Sequence, residues 1–517
     1  MQKHIVIGSR GSDLALWQAR FLQTELSNIG CTSEIKIIKT QGDKIQHLSL
    51  EKLEGKGFFT KEIEDALLSG DIDAAVHSHK DLPTENATGL IIAAVSHRED
   101  PSELLLIRKD KVDEMQLFSL AQNAIVGTSS SRRTVQMGFF RPDVICNDIR
   151  GNVPTRVQKL RNGNFDAIML AFAGVHRLQL DISDLHTVKI APEKFIPAPA
   201  QGVLAFQCRA SDEAMLAILS KINHSDVAET IGVERKVMNL FQGGCHMPLG
   251  VYCHKQNDIF MAFATQTAGK SLPVSRLFMS AASTTDLANN IFRKLPAQHN
   301  KSVFITSTET TQQPALQLLQ QKGFKVVAQS CIEIKPVDFI FNPICDWIFF
   351  TSKNGVNIFF DTVYQLSSNI KIATIGEATA AAVNAFGYKV SFIGEGTTEN
   401  IASSFNKIAA NTKVIFAGAK NRQSKVTTLV ASFAMVEHLT VYDNIPAQIP
   451  IIQADILVFT SPLNVDGYLI NNTIHPNQTV IAIGNTTGSY LNAKGYHNVH
   501  LPPQQHLLSI AELICGL

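Results

Sequence analysis

No apolar run in this 517-residue chain approaches the ~20 residues that a membrane-spanning helix needs. Charge of one sign is equally scarce. The formal net charge is +1, so no global field draws the chain to nucleic acid or to a membrane surface. The first residues, Met1 to Gly8, read as a strand and turn and lack the apolar core of an export signal. Cysteine is present but unorganised. The eight thiols, at 31, 146, 208, 245, 253, 331, 345 and 515, form neither a disulfide framework nor a zinc spacing. A cytoplasmic protein is therefore expected, with no nucleic-acid or membrane partner. His77-Ser78-His79 has no third ligand at zinc spacing, so no metal is expected.

Arginine is absent from one half. Of 16 arginines, 15 precede residue 300 and only Arg422 follows. Guanidinium grips carboxylates by two parallel hydrogen bonds. The first half is thus suited to holding a polyanion and the second is not. The length allows roughly three to five domains, and a composition of 45% hydrophobic and 18% charged residues is that of a globular protein.

The first half alternates strands and amphipathic helices. His4–Gly8 reads as a strand. Ser12 can cap a helix bearing Leu14, Trp17, Phe21, Leu22, Leu26 and Ile29 at helical spacing. Strands are expected at Glu34–Lys39 and Ile72–Val76, with a helix at Lys61–Ser69 stopped by Gly70. The alternation recurs at Ala124–Val126 and Phe165–Ala171, which implies parallel sheets with ligands at the strand C-termini. After Asn223 the pattern becomes that of a small α+β domain. From Ser302 a second α/β region carries an internal repeat. Asp346-Trp347-Ile348-Phe349-Phe350-Thr351-Ser352 returns as Asp455-Ile456-Leu457-Val458-Phe459-Thr460-Ser461, and Ile375-Gly376-Glu377-Ala378-Thr379 as Ile483-Gly484-Asn485-Thr486-Thr487. Two similar lobes with a cleft are expected.

Four constellations carry candidate chemistry. In Val76-His77-Ser78-His79-Lys80-Asp81-Leu82-Pro83, a carboxylate beside a lysine could stabilise a cation while passing protons, or form a structural ion pair. Gly127-Thr128-Ser129-Ser130-Ser131-Arg132-Arg133 joins hydroxyls, a helix N-terminus and two arginines, which makes an anion site or an ordinary cap followed by solvated charge. Asp148-Ile149-Arg150-Gly151-Asn152-Val153-Pro154-Thr155-Arg156 places Pro154 in a first helical turn between two arginines. Glu234-Arg235 is followed by Gly243-Gly244-Cys245-His246, where paired glycines put the cysteine on a tight loop. Taken alone, such a cysteine is more often structural.

In order and spacing, these motifs resemble the hydroxymethylbilane synthase (porphobilinogen deaminase) family over about residues 1–297. Gly8-Ser9-Arg10-Gly11-Ser12, Arg98-Glu99-Asp100-Pro101 and Pro197-Ala198-Pro199-Ala200-Gln201-Gly202 carry the resemblance with them. It implies a periplasmic-binding-protein-like cleft between α/β domains at 1–96 plus 198–218 and at 97–197, with an α+β cofactor-attachment domain at 219–297. It also implies a dipyrromethane cofactor in thioether linkage to Cys245, and Asp81 as catalytic acid/base. Lys80, Ser130, Arg132, Arg133 and Arg156 would bind the cofactor. Arg10, Ser12, Arg150, Arg156 and Arg177 would bind substrate carboxylates. Four porphobilinogen molecules would condense to hydroxymethylbilane with loss of ammonia. His246 stands where the family usually has glutamine, which leaves the thioether intact but alters polar contacts of the loop. Gly42–Gly57 would be a mobile lid or simply an exposed loop.

Residues 302–517 resemble uroporphyrinogen-III synthase, through the duplicated Phe-Thr-Ser and Ile-Gly turns and Val441-Tyr442. The implied module is bilobed α/β, with lobes at 302–331 plus 447–517 and at 338–437. Connections at Ile332–Val337 and His438–Pro446 would join them. Thr351, Ser352, Thr460, Ser461, Thr486 and Thr487 would hold a linear tetrapyrrole, or merely cap helices. Tyr442 would donate a proton to the departing hydroxyl, or simply pack on a strand face. The whole would be a bifunctional, monomeric enzyme ending in uroporphyrinogen III. The competing readings are a deaminase with a non-catalytic C-terminal module and a bilobed small-molecule binding protein.

Overall fold

Alternating burial along His4–Ser9 puts Ile5 and Ile7 into a core, where helix Asp13–Asn28 covers them with Ala19, Leu22 and Leu26. Ser12 caps that helix by accepting from the Ala15 N–H, as expected. Helix Lys61–Ser69 ends at Gly70 in the left-handed region (φ +83°), the conformation for which glycine is suited. The computed structural model describes residues 4–40, 60–242, 247–267, 273–308, 313–394, 397–420 and 425–517. It divides into one unit of 1–301, 310–326 and 502–517 and another of 302–309 and 327–501.

The first unit holds three sheets. The strand order in one is Thr32–Ile37, His4–Ser9, Ala74–Ser78, Leu204–Arg209, Leu90–Val95. In another it is Ile145–Asn147, Ile125–Gly127, Ala167–Ala171, Glu103–Ile107, His186–Ile190. Neither is purely parallel. Leu204–Arg209 runs antiparallel to both of its neighbours, and so does Glu103–Ile107. Both follow segments that cross between the two sheets and enter from the opposite end, a long-range return that local pattern does not reveal. The third sheet is an antiparallel meander, Leu249–Gln256, Ile259–Gln266, Ser275–Ala281, with helices Ser225–Leu240 and Thr284–Lys294 packed on it. Helix Leu507–Gly516 packs on the meander's last strand, and helix Pro314–Gln321 packs on that helix. Both lie in the first unit, whereas the resemblance implied 302–331 and 447–517 as one lobe of the second module.

The crossing segments around residues 96–102 and 197–203 are tied by a buried carboxylate. Glu234 receives the Arg98 guanidinium at 2.6 Å, the Ala200 N–H at 2.6 Å and the Cys253 N–H at 2.8 Å. Gly202 has φ +91°, and a Cβ there would stand 2.2 Å from the Glu99 carbonyl oxygen, so only glycine fits.

In the second unit, strands Ser302–Ile305, Ile456–Phe459, Thr479–Ala482 and Val499–His500 form a parallel sheet. The other sheet has the order Ile332–Pro336, Met435–Pro446, Lys413–Ala419, Trp347–Phe350, Lys371–Thr374, Phe392–Ile393. The two expected connections pair antiparallel, Ile332 with Pro446 through to Pro336 with Tyr442. The sequence repeat is a structural one. Trp347–Phe350 and Ile456–Phe459 each lead, through a serine that caps, into helices Lys353–Thr362 and Pro462–Leu469. Among the described residues no helix is long and apolar enough to cross a membrane.

Two stability predictions follow from this frame. Glu234→Ala leaves Arg98 without its counter-charge and two amides without their acceptor, and should cost about 3–5 kcal/mol in urea denaturation. Trp347→Phe as background leaves Trp17 as the fluorescent reporter of the first unit. The second concerns His77, buried on strand Ala74–Ser78 with its Nε2 3.1 Å from Gln207 Oε1, where burial pushes its pKa down to about 4. An unfolded histidine takes up its proton near 6.5, so between roughly pH 6.5 and 4 only the unfolded chain gains it. Stability should therefore fall by about 3 kcal/mol as pH drops through that window, with no contribution above it. His77→Gln should flatten the loss in urea titrations from pH 7 to 4.

Candidate active sites

Strand Ala74–Ser78 ends in a single 3-10 turn, His79–Asp81, which presents Lys80 and Asp81. The turn is clasped from helix Ser225–Leu240. The Arg235 guanidinium donates to the Leu82 carbonyl at 3.0 Å and also to that of Pro83. Asp81 is exposed and Lys80 half-buried. Lys80 Nζ donates to Gln201 Oε1 at 3.3 Å, which ties the turn to the crossing segment. Burial brings the Lys80 pKa down to about 8, against the pull of Asp81 and Glu103 and with the push of Arg133 and Arg132.

Those last three residues form a second, drier layer. Glu103 is fully buried at the start of its strand. Arg132 reaches it at 2.7 Å, and Arg133 reaches it through Nη2 at 2.7 Å and Nε at 3.0 Å. Burial alone would raise the Glu103 carboxyl, but Arg133 and Arg132 overcome it and bring the pKa down to about 2. The same guanidiniums donate to the Ile196 and Met169 carbonyls, at 2.8 and 2.9 Å. Arg132 and Arg133 thus meet a carboxylate of the chain itself before any ligand. Nothing in the motif Ser131-Arg132-Arg133 named Glu103 as their partner. The available signal was an acidic residue opening the apolar run Glu103-Leu104-Leu105-Leu106-Ile107.

Arg156 and Arg150 complete a basin with this group. Arg156 Nε donates to the Gly151 carbonyl at 2.8 Å, and Arg150 Nε donates to Asp148 at 3.1 Å. Burial, then the like charges of Arg133 and Arg150, hold the Arg156 pKa down to about 10, and Asp148 and Asp81 oppose the shift. Around this turn the cations Lys80, Arg132, Arg133, Arg150 and Arg156 outnumber the carboxylates Glu103, Asp148 and Asp81. Ser130 stands at the start of helix Ser131–Phe140 without capping it through its side chain. Arg10 and Ser12 follow the first strand, where Ser9 Oγ donates to the Arg10 carbonyl and Ser12 serves its helix. Arg177, on helix Phe172–Leu178, reaches the crossing segment. It donates to the Gly202 carbonyl at 2.7 Å and lies 5.4 Å over the Trp17 ring, and burial lowers its pKa to about 10. Cys245, His246 and the segment Gly42–Gly57 lie outside the described residues.

In the second unit the structure joins Tyr442 to the first Thr-Ser turn. Its hydroxyl is 2.9 Å from Ser352 Oγ, which also accepts the Gly355 N–H. Thr351 precedes that cap. Thr460 is engaged internally. Its hydroxyl donates to the Thr306 carbonyl at 2.5 Å and accepts from Asn464 Nδ2 at 3.0 Å. Ser461 caps its helix through the Asn464 N–H. Thr306 and Asn464 were not among the candidates: Thr306 lies outside the repeated phrases, and Asn464, though inside one, stands opposite Gly355 in its copy. Thr487 is buried while its neighbour Thr486 is exposed, so the two do not act as one donor pair. Helices Lys353–Thr362, Glu377–Ala385, Pro462–Leu469 and Asn485–Ala493 all start at the C-terminal ends of parallel strands, with their first turns and positive dipole ends there.

Residues 5–217 match the family model described as porphobilinogen deaminase, dipyromethane cofactor binding domain, and residues 313–512 match that of uroporphyrinogen-III synthase HemD. A curated porphobilinogen deaminase of Nitratiruptor sp. is 40% identical over 290 residues, which is 56% of this chain and 91% of the relative. That of Trichlorobacter lovleyi is 38% identical over 305 residues, 58% of this chain and 96% of the relative. The solved uroporphyrinogen-III synthetase of Helicobacter pylori is 20% identical, with a TM-score of 0.34, over 41% of this chain and 97% of that one. With most of each deaminase relative's length aligned at this identity, the chain belongs to the porphobilinogen deaminase family and, carrying a uroporphyrinogen-III synthase domain after it, is a bifunctional enzyme of tetrapyrrole biosynthesis.

Proposed function

We propose that the N-terminal module joins four porphobilinogen molecules into hydroxymethylbilane with Asp81 as the acid/base, and that the C-terminal module closes that product with inversion of its terminal ring. The observation that carries the first part is the surplus of cations around an exposed aspartate. Porphobilinogen bears an acetate and a propionate, so every ring added brings two carboxylates, and Lys80, Arg150 and Arg156 are sited to receive them. The same surplus fits a dipyrromethane held through Cys245, and that group supplies the pyrrole carbon on which the product grows. Departure of ammonia leaves a positively charged azafulvene-like species. The Asp81 carboxylate stabilises that charge and carries the released proton away. Arg235 keeps the turn still by holding the carbonyls after it. Arg10, Ser12 and Arg177 extend the grip, and Ser130 adds a hydroxyl. The dispersed thiols suit a reducing cytosol.

In the C-terminal module, Tyr442 donates a proton to the departing hydroxyl, with Ser352 fixing its orientation. Backbone N–H groups at the four helix starts, with Thr351, Ser461 and Thr486, receive carboxylates without arginine.

Intact-mass measurement of the full-length protein should show one dipyrromethane above the chain mass, and Cys245→Ser should show the bare mass and no turnover. In the same experiment Asp81→Asn should keep the added mass while turnover falls at least ~100-fold. A bare wild-type chain that still made tetrapyrrole would refute the attachment, and near-normal Asp81→Asn would demote the aspartate to an ion-pair partner. For the second module, full-length protein fed porphobilinogen should yield mainly uroporphyrinogen III. The combined variant Ser352→Ala, Tyr442→Phe should shift the product toward isomer I, the outcome of unassisted closure, with porphobilinogen consumption unchanged. An unaltered isomer ratio would remove both residues from the proposed mechanism.

A further inference from the structure

An arginine with no exposure in the middle of an antiparallel meander needs an explanation, because an unpaired guanidinium out of water is costly. Arg276, on strand Ser275–Ala281, is such a residue. Its Nε meets the Glu512 carboxylate at 2.6 Å. Its other donors reach Gln136 Oε1 at 3.1 Å and the carbonyls of Glu193 and Lys194 at 3.2 and 3.0 Å. Its flat face lies against the rings of Phe139 and Phe140, 5.8 and 5.3 Å from their centroids.

Glu512 sits on helix Leu507–Gly516 and is the last residue of the synthase match, while Gln136, Phe139 and Phe140 sit on helix Ser131–Phe140. That second helix opens with Arg132 and Arg133. Gln136 lies one turn on and is fixed at both ends of its amide. Its Nε2 donates to the Ile196 carbonyl and its Oε1 accepts the Ile196 N–H, both at 2.8 Å. The same Ile196 carbonyl accepts from Arg132. One unbroken series of buried contacts therefore runs from Glu512 through Arg276, Gln136 and Ile196 to Arg132, and on through Glu103 to Arg133.

The C-terminal helix is seated firmly enough to act through it. Lys294 Nζ donates to the Gly516 and Leu517 carbonyls at 2.6 and 2.9 Å. Gly516 approaches the Phe278 carbonyl so closely that an added Cβ would stand 2.1 Å from its oxygen. Leu508 packs on the core that contains Leu105, Val126, Met137 and Phe140.

We propose that helix Leu507–Gly516 is a working part of the deaminase, with Glu512 a positioning residue that sets helix Ser131–Phe140, and hence Arg132 and Arg133, through Arg276 and Gln136. The effect on turnover rests on the reading of Arg132 and Arg133 as cofactor-side groups, whereas the effect on the helix does not. Arg276 is held in a pocket of carbonyls and rings that other side chains supply, so a change at Glu512 alters its charge balance without emptying the site.

The test uses the full-length chain with Glu512→Gln, which keeps the shape, and Glu512→Leu, which leaves Arg276 uncompensated. Amide hydrogen exchange in residues 131–140 should quicken at least ~5-fold in Glu512→Leu and less in Glu512→Gln, while helix Asp13–Asn28 keeps its wild-type rate. Conversion of porphobilinogen to hydroxymethylbilane should fall roughly 3- to 10-fold, measured well below the melting temperature. Glu512→Asp should recover part of both. A Glu512→Leu protein that melts earlier but exchanges and turns over normally overturns the proposal and makes the helix a brace. Faster exchange in 131–140 with unchanged turnover upholds the coupling and overturns the site reading of Arg132 and Arg133 instead.

Discussion

Glu103 enters the protein interior as a charge, and the architecture of the deaminase site depends on that burial being compensated. A lone carboxylate in such a place would take up a proton. Two adjacent guanidiniums prevent it, and they must come from one helix start aimed at the end of one strand. The cluster is left with more positive than negative charge, and Lys80 and Arg156 have pKa values lowered by burial first, with the like charges of the neighbouring arginines adding to it. On the proposed reading, a site for carboxylates is in this way charged before any ligand arrives, with its cations already fixed in direction. Glu234 does the corresponding work at the crossing segments, and its neighbour Arg235 does it for the turn that carries Asp81.

Much of this frame was legible in the sequence where the determinant is local. Ser12 caps, Gly70 terminates, and the duplicated strand-turn-helix phrases fold alike because each contains its own hydrogen-bond partners within a few residues. The resemblance also named Lys80, Asp81, Arg150 and Arg156, and the structure brings these into one electrostatic group. Hidden features were those whose partner lies far along the chain. The antiparallel entry of Leu204–Arg209 depends on a return from the other sheet, and strand ends slipped by two residues where crossing segments set the register. Arg132 pairs across 29 residues and Arg276 across 236, distances over which neither periodicity nor motif carries information. Residue type was therefore readable where orientation was not. Arginines that announce an anion site also serve to neutralise the protein's own buried acid.

The same logic separates the two modules. On the proposed reading both handle molecules with two carboxylates per pyrrole ring, one through guanidinium and the other through helix starts and hydroxyls. Guanidinium pairs act at a distance and in fixed forks, while N–H groups at a helix start act only in the first turn. Thr460 shows how far the second strategy is internal: its hydroxyl already donates to the Thr306 carbonyl, whereas Ser461 only accepts, from Asn464.

The single arginine after residue 300 has a consequence for timing. On the proposed reading, a growing oligomer would gain two carboxylates with each ring, and a dense cationic basin would tighten its hold as that charge accumulates. The finished chain must then leave. On the proposed reading, helix starts and hydroxyls in a module with one arginine would hold the same octa-anion less tightly than forked guanidiniums do, and the closed ring would leave them the more readily.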